Sequence, residues 1–184
     1  MKLFALLFAL APLVPAYAHK VIGVADGANL TLLVDEQPFK IRLANIDAPD
    51  KAQPFGAQSR QSLAELCLGK DASYQEQAID HRGRTVAIVT CEGVEANRAQ
   101  VERGMVWVYP KTNQDLTLPG LEAMARQRRV GLWMDAEPVA PWIFRHPKTR
   151  KIAKVPTENT DGGICFTDRH GEYRFVDGMK RYGC

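Results

Sequence analysis

Three short runs rich in apolar and β-branched residues, separated by turn-like segments, lie within residues 20–43 and most constrain the fold. Two turns, Asp26-Gly27-Ala28-Asn29 and Asp35-Glu36-Gln37-Pro38, separate the runs. Apolar and polar residues alternate within the last run, as they do in strands with one buried face. The sequence therefore predicts an antiparallel meander of three strands, covering residues 20–24, 30–34 and 39–43.

Helical and strand-like segments alternate in the chain that follows. Leu63, Leu66 and Cys67 have helical spacing and precede Gly69, a residue that commonly ends helices. Five strands with interposed helices favour an α+β fold, a small Greek-key β-barrel of the OB type with about three helices. The further predicted elements are helices at residues 56–68, 94–103 and 118–130, a hairpin at residues 72–90 and a strand at residues 105–109.

The first residues have the features of an export signal. Lys2 precedes the apolar residues 3–14, and Ala16-Tyr17-Ala18 resembles a cleavage site. The apolar run is too short to span a bilayer comfortably, and no other run is long enough to be a membrane span. We expect a signal peptide at residues 1–18 and a periplasmic or secreted protein; an uncleaved anchor is the alternative.

The mature chain divides into three parts. Residues 19–145 form the predicted barrel domain, and residues 146–163 are polar, basic and rich in Pro and Thr, which is typical of a linker. Residues 164–184 contain aromatic residues around a turn at residues 168–171. About twenty residues cannot bury a core alone, so we expect a hairpin-like tail stapled by a disulfide.

Four cysteines in an exported chain most simply form two disulfides. Three connectivities are possible, and the spacing favours one bond within the barrel domain and one within the tail. The close CxxC-type spacing of zinc sites is absent. The favoured bonds are Cys67–Cys91 and Cys165–Cys184.

Positive charge is concentrated in the last third of the chain. Residues 19–125 contain 11 Lys and Arg against 14 Asp and Glu, whereas residues 126–184 contain 12 against 7. Such asymmetry favours a polyanion or an anionic surface as the partner. A solvated basic tail is the alternative interpretation.

The residues that suit catalysis lie in two short stretches. Arg42 precedes a proline-containing loop with Asp47 and Asp50, and Arg84 follows a turn at Gly83. Two carboxylates three positions apart suit a hard cation, which prefers oxygen ligands. Two arginines suit a phosphate whose negative charge increases during attack. The set suits phosphodiester hydrolysis, although salt-bridged surface pairs would give the same pattern.

Six motifs follow one another along residues 20–142. They are Val21-Ile22-Gly23-Val24-Ala25-Asp26-Gly27, Ile41-Arg42-Leu43-Ala44-Asn45-Ile46-Asp47-Ala48-Pro49-Asp50, Asp80-His81-Arg82-Gly83-Arg84, Val94-Glu95-Ala96-Asn97, Val101-Glu102-Arg103-Gly104-Met105-Val106 and Gly131-Leu132-Trp133. Together they resemble the staphylococcal nuclease (thermonuclease-like) family. This resemblance implies an OB-fold barrel and a calcium-dependent phosphodiesterase that acts on DNA and RNA and leaves 3′-phosphate ends.

The resemblance also implies roles for individual residues. Asp47 matches the metal-binding aspartate, and the carbonyl of Ala48 is a further ligand for Ca²⁺. Asp50 matches the general base that activates the attacking water. Arg42 and Arg84 match the two arginines that bind the phosphate. The implied mechanism is in-line attack of a metal-ordered water on phosphorus.

One departure from the family pattern affects the metal. The family has Asp-Gly-Asp-Thr at the first turn, and Ala28 stands where the second aspartate binds the ion. We expect Asp26, or the side-chain oxygen of Asn29, to contribute a ligand instead. Calcium affinity follows the number of charged ligands, so the loss predicts weaker binding.

Two further departures affect the reaction and the substrate. Asp50 replaces a glutamate, and a base displaced by about 1 Å can cost about a hundredfold in rate. Arg82 replaces a tyrosine that contacts the nucleotide, and it retains the ability to hold a phosphate. The predicted nucleic-acid contacts are His81, Arg82 and Tyr109.

Three functions remain open from the sequence. The first is an exported, metal-dependent nuclease of DNA or RNA with weakened activity, acting as a monomer. The second is an inactive barrel that binds nucleic acid through its arginines, with strong dependence on salt. The third is an envelope interaction module that docks through its stapled tail.

Overall fold

The computed structural model describes residues 18–146 in full and the backbone of the tail strands given below. The predicted signal peptide, apart from Ala18, lies outside the described residues, as do most of the predicted linker and the side chains of Cys165 and Cys184. The chain forms two units, one ending at Pro141 and one beginning at Trp142. No helix among the described residues is long and apolar enough to cross a bilayer.

The first unit is a five-stranded closed barrel with helices between its strands. In chain order its elements are β1 (His19–Asp26), β2 (Asn29–Val34), β3 (Gln37–Leu43), β4 (Ile46–Asp47), α1 (Gly56–Cys67), β5 (Asp71–Ile79), β6 (Thr85–Cys91), β7 (Val94–Glu95), α2 (Ala96–Glu102), β8 (Trp107–Val108), α3 (Leu118–Gln127), a 3-10 helix (Gly131–Met134) and α4 (Pro141–Phe144), which ends in the second unit. Strands β1, β2 and β3 form the predicted meander, β5 joins β1 to β6, and a parallel pairing of β3 with β6 closes the barrel.

The core lies inside the barrel and under α1. Leu30 and Leu32 of β2, Leu43 of β3 and Leu63 of α1 are all at most 1% exposed. The period-two pattern of the strands places these side chains on one face, and the helical spacing of α1 presents Leu63 to that face. The buried amide of Asn97 accepts from Val89 N–H and donates to two main-chain carbonyls, so α2 is fixed to the barrel.

The OB-type barrel confirms the predicted fold class, with differences at element ends. The predicted helix at residues 94–103 begins only at Ala96, because Val94 and Glu95 pair with β6 as β7. The third helix ends at Gln127 rather than at residue 130. The short α4 and the 3-10 helix add to the three predicted helices.

A disulfide joins Cys67 at the end of α1 to Cys91 at the end of β6, as predicted. The two cysteines are 24 positions apart in sequence. Closing a loop of this length stabilises a fold by about 3 kcal/mol in the chain-entropy description. The bond therefore ties the helix that covers the core to the strand that closes the barrel.

The second unit contains more strand than the predicted hairpin. Its described strands form an antiparallel sheet of four in the order β12-β11-β10-β9. β9 lies within the segment predicted as a linker and pairs with β10. The strands are β9 (Thr157–Glu158), β10 (Ile164–Asp168), β11 (Gly171–Val176) and β12 (Met179–Tyr182).

Candidate functional site

The turn between β1 and β2 is held by the Asp26 carboxylate. Asp26 Oδ1 accepts the Ala28 N–H at 2.9 Å, and both carboxylate oxygens accept from Asn29 Nδ2, at 2.9 and 3.0 Å. Aspartate favours turns because its side chain bonds the backbone two residues on. The methyl group of Ala28 is buried, at 1% exposure.

Arg84 immediately precedes β6, and its guanidinium group is held by two side chains. Nε donates to Asp80 Oδ2 at 2.8 Å, and Nη2 lies 2.7 Å from the same oxygen. Nη1 donates to Asn29 Oδ1 at 3.0 Å. The contact between Arg84 and Asn29 joins the hairpin of β5 and β6 to the first turn of the chain.

Asp80 accepts bonds from the backbone as well as from Arg84. Its Oδ1 accepts the N–H groups of Arg82 and Arg84, at 2.8 and 3.0 Å. Burial alone would raise the pKa of this carboxyl, but the hydrogen bonds and the positive charge of Arg84 outweigh burial and lower the pKa to about 2. Asp80 is therefore charged throughout the physiological range and holds Arg84 at one edge.

The lowered pKa of Asp80 makes the stability of the fold depend on acid. A carboxyl whose pKa is lower in the folded than in the unfolded chain stabilises the fold above its unfolded pKa, and this contribution is lost as the pH falls through the folded value. We expect Asp80→Asn to be less stable than the unmodified chain above about pH 4, with the gap closing towards pH 2. Urea unfolding at several pH values measures the gap, and a gap that stays constant contradicts the prediction.

Arg42 and Asp47 form the second charged pair of the site. Arg42 Nη2 lies 3.1 Å from Asp47 Oδ1. The Asp47 side chain is 6% exposed and that of Arg42 is 20% exposed, so the pair is largely shielded from water. Asp47 is in β4, which pairs with β8 opposite Trp107. A buried carboxylate of this kind requires a partner, and Arg42 supplies the charge.

The loop after β4 carries Ala48 and Asp50 towards α1. Gln53 N–H donates to the Asp50 carbonyl at 2.8 Å, and the Asp50 N–H donates to the Gln53 side chain at 3.3 Å. Gly56, the first residue of α1, lies so close to this carbonyl that a Cβ there would be 2.1 Å from it. The backbone of Asp50 is thus fixed, while its role as a base stays a prediction.

The barrel closure pairs β3, which carries Arg42, with β6, which begins one residue after Arg84. In the parallel pairing of β3 with β6, Ile41 lies opposite Thr85, the residue after Arg84. In the antiparallel pairing of β2 with β3, Asn29 lies opposite Arg42. Asn29 therefore contacts Arg84 and is the register partner of Arg42.

The predicted nucleic-acid contacts lie in two places. His81 and Arg82 are exposed at the tip of the hairpin of β5 and β6, close in sequence to Arg84. Tyr109 follows β8 and is half-buried, and its N–H donates to the Asn45 carbonyl at 2.8 Å. The site is thus bordered by an exposed basic tip and by the strand that pairs with β4.

The described residues do not assemble the calcium cage that the family resemblance implies. Ala28 has no side-chain oxygen, both oxygens of Asp26 accept from Asn29, and the Asn29 oxygen accepts from Arg84. Within residues 18–146, no group of three His, Cys, Asp or Glu side chains is placed to hold an ion. These donors do not fit a closed calcium site. The metal roles of Asp26, Asp47 and Ala48 stay predictions.

Two contacts of Arg84 in the site are not predicted from the sequence. Asp80 is the acidic partner of Arg84, and the signal for it is the opposite charge four positions away in a tight hairpin. Asn29 appears in the sequence only as a substitute metal ligand, whereas the structure places it against Arg84. The contact between them spans 55 positions of sequence. No local pattern indicates such a contact.

Comparison with known proteins agrees with this geometry. The family model described as staphylococcal nuclease homologue matches residues 40–135. An "Uncharacterized endonuclease" of Escherichia coli O157:H7 is 39% identical over 139 residues, which are 74% of this chain and 91% of that protein.

Two further relatives carry nuclease names. A "Micrococcal nuclease" of Shigella flexneri is 34% identical over 72% of this chain and 84% of its own length. The "Staphylococcal-like nuclease CAN1" of Arabidopsis thaliana is 31% identical over 71% of this chain and 41% of its own length. The chain belongs to the family of staphylococcal nuclease homologues.

Proposed function

We propose that this chain is an exported nuclease that hydrolyses phosphodiester bonds of DNA or RNA, with less activity than relatives that keep the full family motif. The observation that carries the proposal is the link through Asn29, which accepts a hydrogen bond from Arg84 and is the register partner of Arg42. Family membership and the nuclease names of the relatives support the same reaction class. The features of the first 18 residues support export.

The guanidinium group of Arg84 is oriented and retains capacity for a phosphate. Contacts with described residues involve each of its three nitrogens, and each Nη nitrogen carries two hydrogens. One hydrogen on Nη1 and one on Nη2 remain for two oxygens of a phosphate. Bidentate contacts of this kind are the strong mode of phosphate recognition.

The two arginines act on the charge of the transition state. Attack on phosphorus increases the negative charge on the phosphate oxygens, and donors fixed before the reaction stabilise that charge most effectively. Arg42 is fixed by Asp47, and Arg84 by Asp80 and Asn29. We assign Asp50 the removal of the proton from the attacking water. Its shorter side chain, compared with glutamate, is one source of the lowered activity.

Calcium dependence is general in this family. Because the described donors do not form a closed site, we propose that this chain binds calcium weakly. Affinity for calcium falls when an anionic ligand is lost, and Ala28 has none to offer.

A cleavage assay tests the proposed function. We expect the purified, oxidised chain to cleave single-stranded DNA, duplex DNA or RNA, and Arg84→Ala to reduce cleavage about a hundredfold or more. Each substrate is tested with calcium, magnesium or manganese, and with chelator. The variant, purified in parallel, controls for contaminating nuclease. Equal cleavage by both proteins contradicts the proposal.

The second candidate function is nucleic-acid binding without turnover. The buried methyl group of Ala28, where the family pattern has a metal-binding aspartate, favours this alternative. It predicts binding that weakens steeply with salt and no cleavage with any of the cations.

A further inference from the structure

We propose that Asn29 is a positioning residue that sets the orientation of Arg84 towards the phosphate. This inference rests on the proposed function, because it assigns Arg84 a phosphate to bind. Asn29 is the first residue of β2. Its side-chain NH₂ group donates to the Asp26 carboxylate, and its side-chain oxygen accepts from the Arg84 guanidinium. The turn between β1 and β2 thereby orients the side chain of Arg84, which precedes β6.

The chemistry of the two partners fixes which way the Asn29 amide points. The Asp26 carboxylate only accepts hydrogen bonds, so it requires the NH₂ group of the amide. The Arg84 guanidinium only donates, so it requires the amide oxygen. A flipped amide would lose both interactions. Asparagine satisfies the two partners at once, whereas alanine satisfies neither.

The turn that carries Asn29 is held rigidly by α1 and α2. A Cβ at Gly27 would lie 1.7 Å from Ser59 Oγ, so the turn packs directly on α1. The buried side chain of Gln100 in α2 donates to the Gly27 carbonyl at 2.9 Å. The contacts of α1 and α2 with Gly27 therefore fix the position of Asn29, and the hydrogen bond from Arg84 to Asn29 fixes the guanidinium group in turn.

Asn29 and Asp80 hold different edges of the same guanidinium group. Asp80 contacts Nε and Nη2, and Asn29 contacts Nη1. A carboxylate alone leaves the plane of the guanidinium free to pivot about the shared oxygen, and the second contact removes this freedom. Asn29 is also the register partner of Arg42 in the pairing of β2 with β3. In this chain the turn binds an arginine side chain, whereas the family pattern has a metal ligand at the same turn.

A double-mutant cycle on nucleic-acid binding tests this role. The four proteins are the unmodified chain, Asn29→Ala, Arg84→Ala and the double variant, and the probe is a short fluorescein-labelled single-stranded DNA in chelator at low salt. We expect Asn29→Ala to weaken binding about tenfold to a hundredfold, as for loss of a hydrogen bond to a charged group. In the Arg84→Ala background the same change should alter the dissociation constant less than twofold, because Arg84 carries the effect.

Controls separate positioning from damage to the fold and from failure of the proposed function. Thr31→Ala, a change on the same strand two positions on, should leave binding unchanged, and urea midpoints confirm that each variant is folded. Equal weakening by Asn29→Ala in both backgrounds overturns the inference even when the chain cleaves nucleic acid. If Asn29→Ala weakens binding only in the chain that retains Arg84 and no cleavage is detected, the inference is supported and the proposed nuclease activity is refuted. If Asn29→Ala is unstable, Asn29→Ser takes its place in the cycle under the same criteria.

Discussion

Replacing Arg42 with alanine is expected to lower cleavage about a hundredfold or more and to destabilise the fold by about 3 kcal/mol. Both effects have one cause, because Arg42 is the charged partner of the buried Asp47 carboxylate and is also the predicted phosphate ligand. The variant loses a donor to the transition state and removes the positive charge that Arg42 places beside the Asp47 carboxylate. Initial cleavage rates and urea unfolding measure the two effects separately.

Two companion variants distinguish the catalytic effect from the structural one. In Arg42→Ala/Asp47→Asn the carboxylate is removed with its partner, so most of the lost stability should return while cleavage stays low. Arg42→Lys keeps the positive charge but loses the planar pair of donors. Compared with Arg42→Ala, it should regain more of the free energy of unfolding than of the cleavage rate. Cleavage near the unmodified level in a folded Arg42→Ala protein would show that Arg42 does not contact the scissile phosphate.

The local elements of the fold follow from short-range patterns in the sequence. The period-two alternation of residues 39–43 and the helical spacing of Leu63, Leu66 and Cys67 identify β3 and α1 without reference to distant residues. The parallel pairing of β3 with β6 has no such local signal, because it joins strands separated by α1 and β5. The number and order of strands and helices, together with the resemblance to a known family, predict the barrel without indicating this pairing.

The ends of elements were less predictable because competing pairings decide them. The sequence predicts Val94 and Glu95 as the first residues of the second helix, yet their backbone groups pair with β6, so the helix starts later. Thr157 and Glu158 lie in a polar segment with the composition of a linker, and β10 recruits them as a strand. In both cases backbone hydrogen bonds to a neighbouring strand outweigh the local preference.

The candidate site shows the same division between local and distant information. Arg42 and Arg84 stand in motifs that identify them as suited to a phosphate, and Asp47 stands in one that identifies it as suited to a cation. Their partners depend on the tertiary fold, as the contact of Arg84 with Asn29 shows. Because Asn29 stands beside the missing aspartate, the sequence predicts that either its side-chain oxygen or Asp26 contributes a metal ligand. The amide oxygen instead satisfies a guanidinium that the closure of the barrel brings to it.

The motif glycines Gly104 and Gly131 have a structural reason that sequence alone does not reveal. Both have positive φ, at 65° and 58°, and their backbones touch. A Cβ on Gly104 would lie 2.3 Å from the Val130 carbonyl oxygen, and one on Gly131 would lie 2.2 Å from the Gly104 carbonyl oxygen. Leu132 N–H donates to that same Gly104 oxygen at 2.8 Å. The end of α2 is thereby fixed to the start of the 3-10 helix, with no space for a side chain between them.

Gly104→Ala is therefore expected to destabilise the fold by about 4 kcal/mol, the strain of positive φ adding to the overlap with the Val130 backbone. Gly69→Ala is the matched control, because Gly69 has a φ of 76° with no atom within 4 Å of an added Cβ. The control should lose only about 1 kcal/mol, from backbone strain alone. Urea unfolding of the two variants measures the difference, which isolates the cost of separating α2 from the 3-10 helix. Equal losses in the two variants would mean that this contact relaxes without cost and that Gly104 is required only for its backbone conformation.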